Sequence, residues 1–339
     1  MRFIDADEVR RRLTYDICIP LMREAMTALS SGRTRQLLRA ILPLGGDNLF
    51  GVMPGSLGED GAFGAKVISV FPGNFAKGGP SHQGLIVLFE PATGAPVCVV
   101  DAGEVTAIRT AATSAMATDV LSRPDAHRLA LLGYGRQAAE HARAIGKVRK
   151  LSTLRVWGRD GARAAAFAEA IGAELALPAT AAGSPREAVE AADIICTVTA
   201  ATDPIVEGDW LAAGAHVNLV GSGHAGQAEA DGGLVARVRF IADSREGVIA
   251  QGGEFLRAKA AGLVEDSHVV AEIGEVLTGT ATGRRTNQEI TAYKSLGHVA
   301  QDLTCAWALY TDDGHELLRG ATNERRAPRV ATDMRNGAR

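Results

Sequence analysis

Three cations stand where the surrounding sequence is apolar or turn-rich: Arg39 within the strand-like run Leu37 to Leu44, Lys66 in Gly64-Ala65-Lys66-Val67-Ile68, and Arg109 in Thr106-Ala107-Ile108-Arg109-Thr110. A cation in such a setting is costly to bury without an anion. Gathered around one cavity, the three would hold a carboxylate, the arginines by paired contacts. Taken singly, each also reads as a surface residue. Two histidines join them as candidates. His82, in Ser81-His82-Gln83 after a Gly-Gly-Pro turn, could donate a proton, pocket-lining or strand-capping being the plainer reading of that segment. His224, in Gly221-Ser222-Gly223-His224-Ala225-Gly226, follows a strand ending at Val220 and is a catalytic or substrate-facing candidate.

A second chemistry is written between them. The apolar run Leu129 to Leu132 meets Gly133-Tyr134-Gly135-Arg136-Gln137-Ala138, and Ala138 to Ile145 follows with helix formers and no Pro or Gly. Strand, glycine turn and helix read as a dinucleotide site, a bare structural glycine turn being the alternative. The unpaired first amides and the dipole of a helix favour a pyrophosphate. Gly133 allows the turn, Gly135 lets the backbone approach the phosphates, and Ala138 keeps helix and strand close. The next strand should read the adenosine ribose, and it ends Val156-Trp157-Gly158-Arg159-Asp160. An NAD site usually places a carboxylate at that tip. Gly158 and Arg159 stand there instead, and arginine is a bidentate partner for a 2′-phosphate, so NADP is favoured over NAD. The competing reading makes Arg159 a solvated loop residue and Asp160 the cap of the following helix. Across the sheet, Asp193 to Thr199 would bring Thr197, Val198 and Thr199 to the nicotinamide. Val220, Gly221 and Ser222 would lie at the carboxyl edge of the strand His216 to Val220, where ligands of such folds bind.

These residues need two kinds of scaffold. The first part of the chain reads as a helix (Asp16 to Ser30) followed by strands at Leu37 to Leu44, Asn48 to Pro54, Gly64 to Val70, Gly84 to Glu90 and Pro96 to Asp101. The turn clusters between them, including a Pro91-Ala92-Thr93-Gly94-Ala95-Pro96 hairpin, are of the kind that join antiparallel strands. A helix rich in Ala and Thr, Glu104 to Leu121, leads to the glycine turn. Alternation then takes over: strand Leu154 to Trp157, helix Ala162 to Ile171, a short strand near Glu174 to Leu177, helix Pro185 to Ala191, and strands Asp193 to Val198, His216 to Val220 and Val238 to Ala242. Such spacing predicts βαβ units and a parallel sheet covered on both faces. A short helix Ala271 to Leu277, a strand Glu289 to Tyr293 and a long helix Gly297 to Leu318 complete the pattern, the last returning to the first domain.

The predicted fold class is therefore α/β: a Rossmann-type doubly wound parallel sheet plus a discontinuous α+β domain for substrate binding and dimerisation. The boundaries are 1–120 plus 296–320 for the outer domain, 121–295 for the NAD(P)-binding domain, and 321–339 for a flexible tail. The Arg-rich stretch from Arg319 to Arg339 reads as a frayed terminus rather than a binding arm.

The whole chain has 339 residues, 46% hydrophobic and 22% charged, with a net charge of −3. That composition fits an ordinary soluble protein. No apolar run reaches the roughly 18 residues of a membrane helix, and the start, MRFIDADEVRRR, is not a signal peptide, so a cytoplasmic protein is expected. Slight acidity and the lack of a basic, aromatic-rich face argue against nucleic acid. Cys18, Cys98, Cys196 and Cys305 lie far apart without CxxC spacing, which favours buried structural thiols over zinc or disulfides; no metal is expected.

Several of these motifs together resemble the ornithine cyclodeaminase/mu-crystallin family: Arg39, Gly64-Ala65-Lys66, Leu88-Phe89-Glu90-Pro91-Ala92-Thr93-Gly94, Thr106 to Ala115, Gly133 to Ala138, and Lys294-Ser295-Leu296-Gly297. The likeness covers nearly the whole chain. It implies a homodimer built through the outer domain, a small amino or imino acid substrate, and a nicotinamide cofactor touched by the glycine turn, Arg159 and Lys294. It also implies that Arg39, Lys66 and Arg109 surround the substrate carboxylate. One departure matters. In cyclodeaminases of the family an aspartate follows the strand that here ends at Val220, and the matching position is Gly223, with Ser222 and His224 the nearest polar groups. Ring closure with loss of ammonia needs a base and a cofactor cycling within one turnover, whereas reduction of a ready-made imine needs only a clamp, a hydride and a proton. The expected activity is therefore NAD(P)H-dependent reduction at the carbon bearing nitrogen in an α-imino or α-amino acid. Lys66, Arg109 and His82 are the catalytic candidates, and Gly223 and His224 border the substrate. Water, Lys66 or His82 could supply the proton. The alternatives are a cyclodeaminase using His224 or water, and an NADPH-bound binding protein of the mu-crystallin kind.

Overall fold

The computed structural model describes residues 1–311. The first sheet is made of β1 (Arg2–Ile4), β2 (Arg35–Gln36), β3 (Ala40–Gly45), β4 (Asn48–Ser56), β5 (Phe63–Val70), β6 (His82–Phe89) and β7 (Pro96–Asp101). Its spatial order is β1-β7-β6-β5-β4-β2, with β3 also paired to β4. All of its pairings are antiparallel except that of β1 with β7. The Pro91 to Pro96 hairpin forms as expected, with Gly94 at φ +72 and the Glu90 carboxylate accepting from the amides of Ala92 and Thr93. Helices α1 (Ala6–Arg12) and α2 (Tyr15–Ser30) pack against this sheet and its neighbours.

Helix α3 (Ala102–Leu121) is the joint of the molecule. Its side chains are buried almost all round, because Ala, Ser and Thr let elements approach on every side. Asp101 caps it, accepting from the Glu104 amide at 2.7 Å.

The second sheet has eight parallel strands, β8 (Arg128–Leu132), β9 (Thr153–Trp157), β10 (Ala179–Ala181), β11 (Ile194–Thr197), β12 (His216–Leu219), β13 (Arg239–Ala242), β14 (Val269–Glu272) and β15 (Thr291–Lys294). Their order is β10-β9-β8-β11-β12-β15-β13-β14. The chain winds outward in one direction from β8 to β10 and in the other from β11, so β8 and β11 flank the switch point where doubly wound folds bind ligands. Helices α4 (Arg136–Val148), α5 (Gly161–Leu175), α6 (Pro185–Val189), α7 (Gly232–Arg237), α8 (Arg245–Gln251), α9 (Gly253–Ala260) and α10 (Ile273–Thr278) alternate with these strands. The last described helix, α11 (Val299–Thr311), returns to the first sheet, where Leu303, Cys305, Ala306 and Leu309 join the core formed with Met22, Met53 and Ile86.

Several expectations need correction. Glu174 and Leu175 are not strand but the end of α5: Ile171 and Leu175 continue the helical stripe, and Ala176 stops it at φ +52. The strand of that unit lies later, at β10. The predicted helix Ala271 to Leu277 begins at Ile273, where Glu272 and Glu275 form a capping box, while Ala271 and Glu272 close β14. The strand expected at Glu289 to Tyr293 is displaced to β15. Arg39 is not inside a strand: residues 37–39 are unpaired between β2 and β3, which both pair with β4. The elements β1, α1 and α7 to α9 gave too short a periodic signal to be read. The predicted continuation of the last helix to Leu318 and the tail 321–339 fall outside the described residues. All four cysteines are buried and free, as read from their spacing. Among the described residues no helix is long and apolar enough to cross a membrane.

Candidate active site

At the end of β8, Gly133 adopts φ +124 and its amide donates to Trp157 O at 2.8 Å. A Cβ there would lie 2.9 Å from Val198 O as well as straining the backbone. Gly135 caps α4 without any side-chain bond, and a Cβ added to it would meet nothing within 4 Å. Within the first turn of α4 the amides of Arg136 and Gln137 have no acceptor among the described residues, the setting an anion needs, while the Ala138 amide already donates to Gly135 O at 3.0 Å. Arg136, the first residue of α4, is paired with the buried carboxylate of Glu104 on α3, which also accepts from Arg10 at 2.8 Å. Gln137 and Ala138 continue the same turn.

At the tip of β9 the structure shows what the competing reading expected: a capping Asp160 and an exposed Arg159. Asp160 caps α5, one oxygen of its exposed carboxylate accepting from the Arg163 amide at 3.0 Å. Arg159 is exposed beside it, with no side-chain hydrogen bond or ion pair among the described residues. Gly158 is there to admit the Tyr134 ring, into which any Cβ at that position would drive. The Arg163 guanidinium stands 5.0 Å from the centroid of that ring.

Across the switch point, one buried acid organises the loop ends. Glu229 accepts from Thr197 Oγ1 at 2.7 Å, Thr199 N at 2.6 Å, Thr199 Oγ1 at 2.7 Å and Gly221 N at 2.7 Å. Burial pushes its pKa up, against the two hydroxyl donors. Glu254 accepts from Ser222 Oγ and the Glu229 amide and forms an ion pair with Lys294 at 2.9 Å, both side chains being fully buried. Lys294 Nζ donates in turn to Ser222 O at 2.7 Å. The polar atoms of Ser222 and Lys294 are therefore turned into the protein, and these two residues shape the loop after Val220 and Gly221 from behind.

Two of the three cations, Lys66 and Arg109, meet at an acid that their local patterns did not announce, with Arg39 near enough to act on Lys66 electrostatically. Asp302 of α11 is fully buried, and its Oδ1 lies 3.1 Å from Lys66 Nζ and 3.0 Å from Arg109 Nε. Its Oδ2 is buried without a partner. Lys66 also donates to Thr106 Oγ1 at 2.7 Å, and Arg109 to Gln301 Oε1 at 2.6 Å. Lys66 and Arg109 are 3% and 4% exposed, too buried to stand without counter-charge. Burial lowers the Lys66 pKa to about 8, with Asp302 opposing and Arg109 and Arg39 assisting. Arg39 reaches across to the second sheet, donating to Leu296 O at 2.7 Å and Gly223 O at 3.2 Å, while its Nε is buried without a partner. The signal missed in the sequence was the adjacent pair Gln301-Asp302 on an otherwise apolar helix.

Arg39 opens onto a cleft also lined by Met53, Asp243, Ser244, Gly297 and His298. His82, exposed at the start of β6, and His224, partly buried beside Gly223, both feel the cations: each pKa is lowered first by desolvation, then by Lys66 and Arg39 for His82 and by Arg39 for His224.

A sequence model of the ornithine cyclodeaminase/mu-crystallin family matches residues 2–314. The chain is 33% identical over 313 residues to the ketimine reductase mu-crystallin of Rattus norvegicus, covering 91% of this chain and 96% of that protein. Among solved structures, it is similar to the Thermococcus litoralis Delta(1)-pyrroline-2-carboxylate reductase in complex with NADH and L-proline, with a TM-score of 0.88, 31% identity, and 91% and 96% of the two chains covered. It is also similar to the iminosuccinate reductase of Paracoccus denitrificans in complex with NAD+, with a TM-score of 0.84, 27% identity, and 91% and 95% covered.

Proposed function

The chain belongs to the ornithine cyclodeaminase/mu-crystallin family, and from that premise we propose that it is an NAD(P)H-dependent reductase of the C=N bond of a small α-imino acid. The observation that carries this reading is the buried pair Lys66 and Arg109, which share Asp302, with the partly buried Arg39 close enough to act on Lys66 electrostatically. Such a cluster is electrically incomplete, and a substrate carboxylate completes it. Arg109 and Lys66 hold that carboxylate, Arg39 borders it from the loop side, and together they fix the α-carbon. A nicotinamide dinucleotide, when bound, supplies the hydride. Its fit is supported by the Arg136 and Gln137 amides, without acceptors among the described residues, and by the open space at Gly135. Lys66, His82 or water delivers the proton to nitrogen. The relatives named above that act on imines support the reaction class.

No carboxylate stands at Gly223, whose amide instead faces Gln227 Oε1 at 3.2 Å; this favours reduction over ring closure with ammonia loss. The exposed apolar side chains of Ile41, Leu42 and Leu44 on β3 support association into a homodimer.

The test is absorbance at 340 nm with NADPH and NADH against cyclic α-imino acids and pyruvate with methylamine. Oxidation of the reduced cofactor is expected. A flat trace while ornithine or lysine loses ammonia would replace this reading with a cyclodeaminase.

Because Arg159 is exposed at the tip of β9 and free of side-chain partners among the described residues, we assign the 2′-phosphate of NADPH to it. Arg159→Ala is expected to weaken NADPH about tenfold or more while leaving NADH nearly unchanged, as loss of one charge-assisted contact implies. Fluorescence titration of both cofactors checks it, and equal losses would remove Arg159 from the site.

A further inference from the structure

His298 lies in the cleft and has no part in the carboxylate clamp. It follows Gly297, whose φ of +83 turns the chain directly against Arg109: a Cβ there would sit 3.1 Å from both terminal guanidinium nitrogens. The imidazole is fixed by its own helix start. Nδ1 accepts from the Ala300 amide at 3.3 Å, which leaves the proton on Nε2. Among the described residues Nε2 has no protein partner, and the ring lines the cleft with Gln36, Ser244 and Gln251.

The cleft sets these neutral hydrogen-bonding side chains around His298 against apolar Leu37, Leu38, Met53, Leu296 and Val299. Its buried acid, Asp243, is spent on the amides of Ser244, Leu296 and Gly297 at 2.8, 2.7 and 2.7 Å; Glu246 is exposed at the mouth. The unpartnered Nε of Arg39 adds a further donor. Within that partly apolar cleft, His298 Nε2 and its polar neighbours are the groups able to fix an oxygen acceptor in place. Burial, reinforced by Arg109 and Arg39 and opposed by Asp302, lowers the His298 pKa to about 4, so the ring stays a neutral donor at physiological pH.

We propose that His298 is a specificity-determining residue whose Nε2–H donates to an oxygen on the substrate side chain, so that the preferred substrate is an α-imino acid bearing a side-chain carboxylate or amide. The inference rests on the reductase reading for its reaction, though not for its binding.

The test compares imines formed by methylamine with 2-oxoglutarate and with 2-oxobutyrate, in wild type, His298→Leu and His298→Asn. Wild type is expected to favour the 2-oxoglutarate imine by about tenfold or more in kcat/KM, the size of one well-made hydrogen bond. His298→Leu should erase that ratio through KM while sparing the 2-oxobutyrate imine, and His298→Asn, which keeps a donor, should restore part of it. An unchanged ratio in His298→Leu, or equal loss on both imines, overturns the proposal. Binding is read separately, from the thermal shift given by glutamate against 2-aminobutyrate in the presence of NADP+. A larger shift with glutamate that disappears in His298→Leu upholds the proposal even if no imine is reduced, an outcome that would sink the reductase reading alone. Equal shifts in wild type overturn it.

Discussion

Arg109→Ala is expected to raise KM for any α-imino acid by orders of magnitude, with a smaller fall in kcat. Arg109 is 4% exposed and shares Asp302 with Lys66. Truncating one partner of a desolvated, hydrogen-bonded charge set costs about 2–5 kcal/mol, roughly 30- to several-thousand-fold in affinity. Part of that loss is the stranding of Asp302 and Gln301, which lose a donor each. Denaturant unfolding must therefore accompany the kinetics, since a broken buried pair also destabilises the fold. Arg109→Lys separates the two effects: it keeps the charge for Asp302 but loses the forked geometry, so stability should recover more than KM. A KM unchanged in Arg109→Ala would take this residue out of the substrate site.

Lys66 should impose an alkaline limit on activity. Its pKa is lowered from 10.5 to about 8 by burial, with Asp302 opposing. Below about pH 8 the ammonium completes the clamp and can supply a proton; above it, both capacities fade, so kcat/KM is expected to fall tenfold per pH unit. Stability moves the other way. The folded-state pKa lies below the unfolded one, so between about pH 8 and 10.5 the unfolded chain holds a proton at this site that the folded chain has released. This group therefore raises stability with pH across that window, having cost stability below it. A pH–rate profile beside pH-dependent unfolding checks the pair of opposed trends. In Lys66→Arg, a cation that does not titrate in this range, the alkaline limb should vanish. A limb that persists unchanged would assign it to another group.

Much of this architecture is legible in the chain. The glycine turn Gly133-Tyr134-Gly135 between an apolar strand and an alanine-rich helix was legible, and the helix–strand alternation after it specifies a parallel sheet. The errors were local. At Glu174 to Leu177 a short apolar run satisfied a strand period while Ile171 and Leu175 were extending a helix, an ambiguity that only packing resolves. Arg39 read as a strand residue because its neighbours are apolar, yet Leu37 and Leu38 are exposed and the backbone there is unpaired.

By itself, then, the sequence determined the two sheets, the glycine turn between β8 and α4, the Gly158-Arg159 tip of β9 and the identity of the three cations, because each rests on residue type and spacing within a few positions. Tertiary structure alone decided what completes them. Asp302 meets Lys66 and Arg109 across 236 and 193 residues. Glu229 joins the ends of β11 and β12 from a loop beyond both. His298 faces the cleft because Gly297 turns the chain against Arg109. A local pattern records which face of an element is apolar, but a buried charge is tolerated only where a distant element brings its partner, and that pairing is fixed when the elements pack.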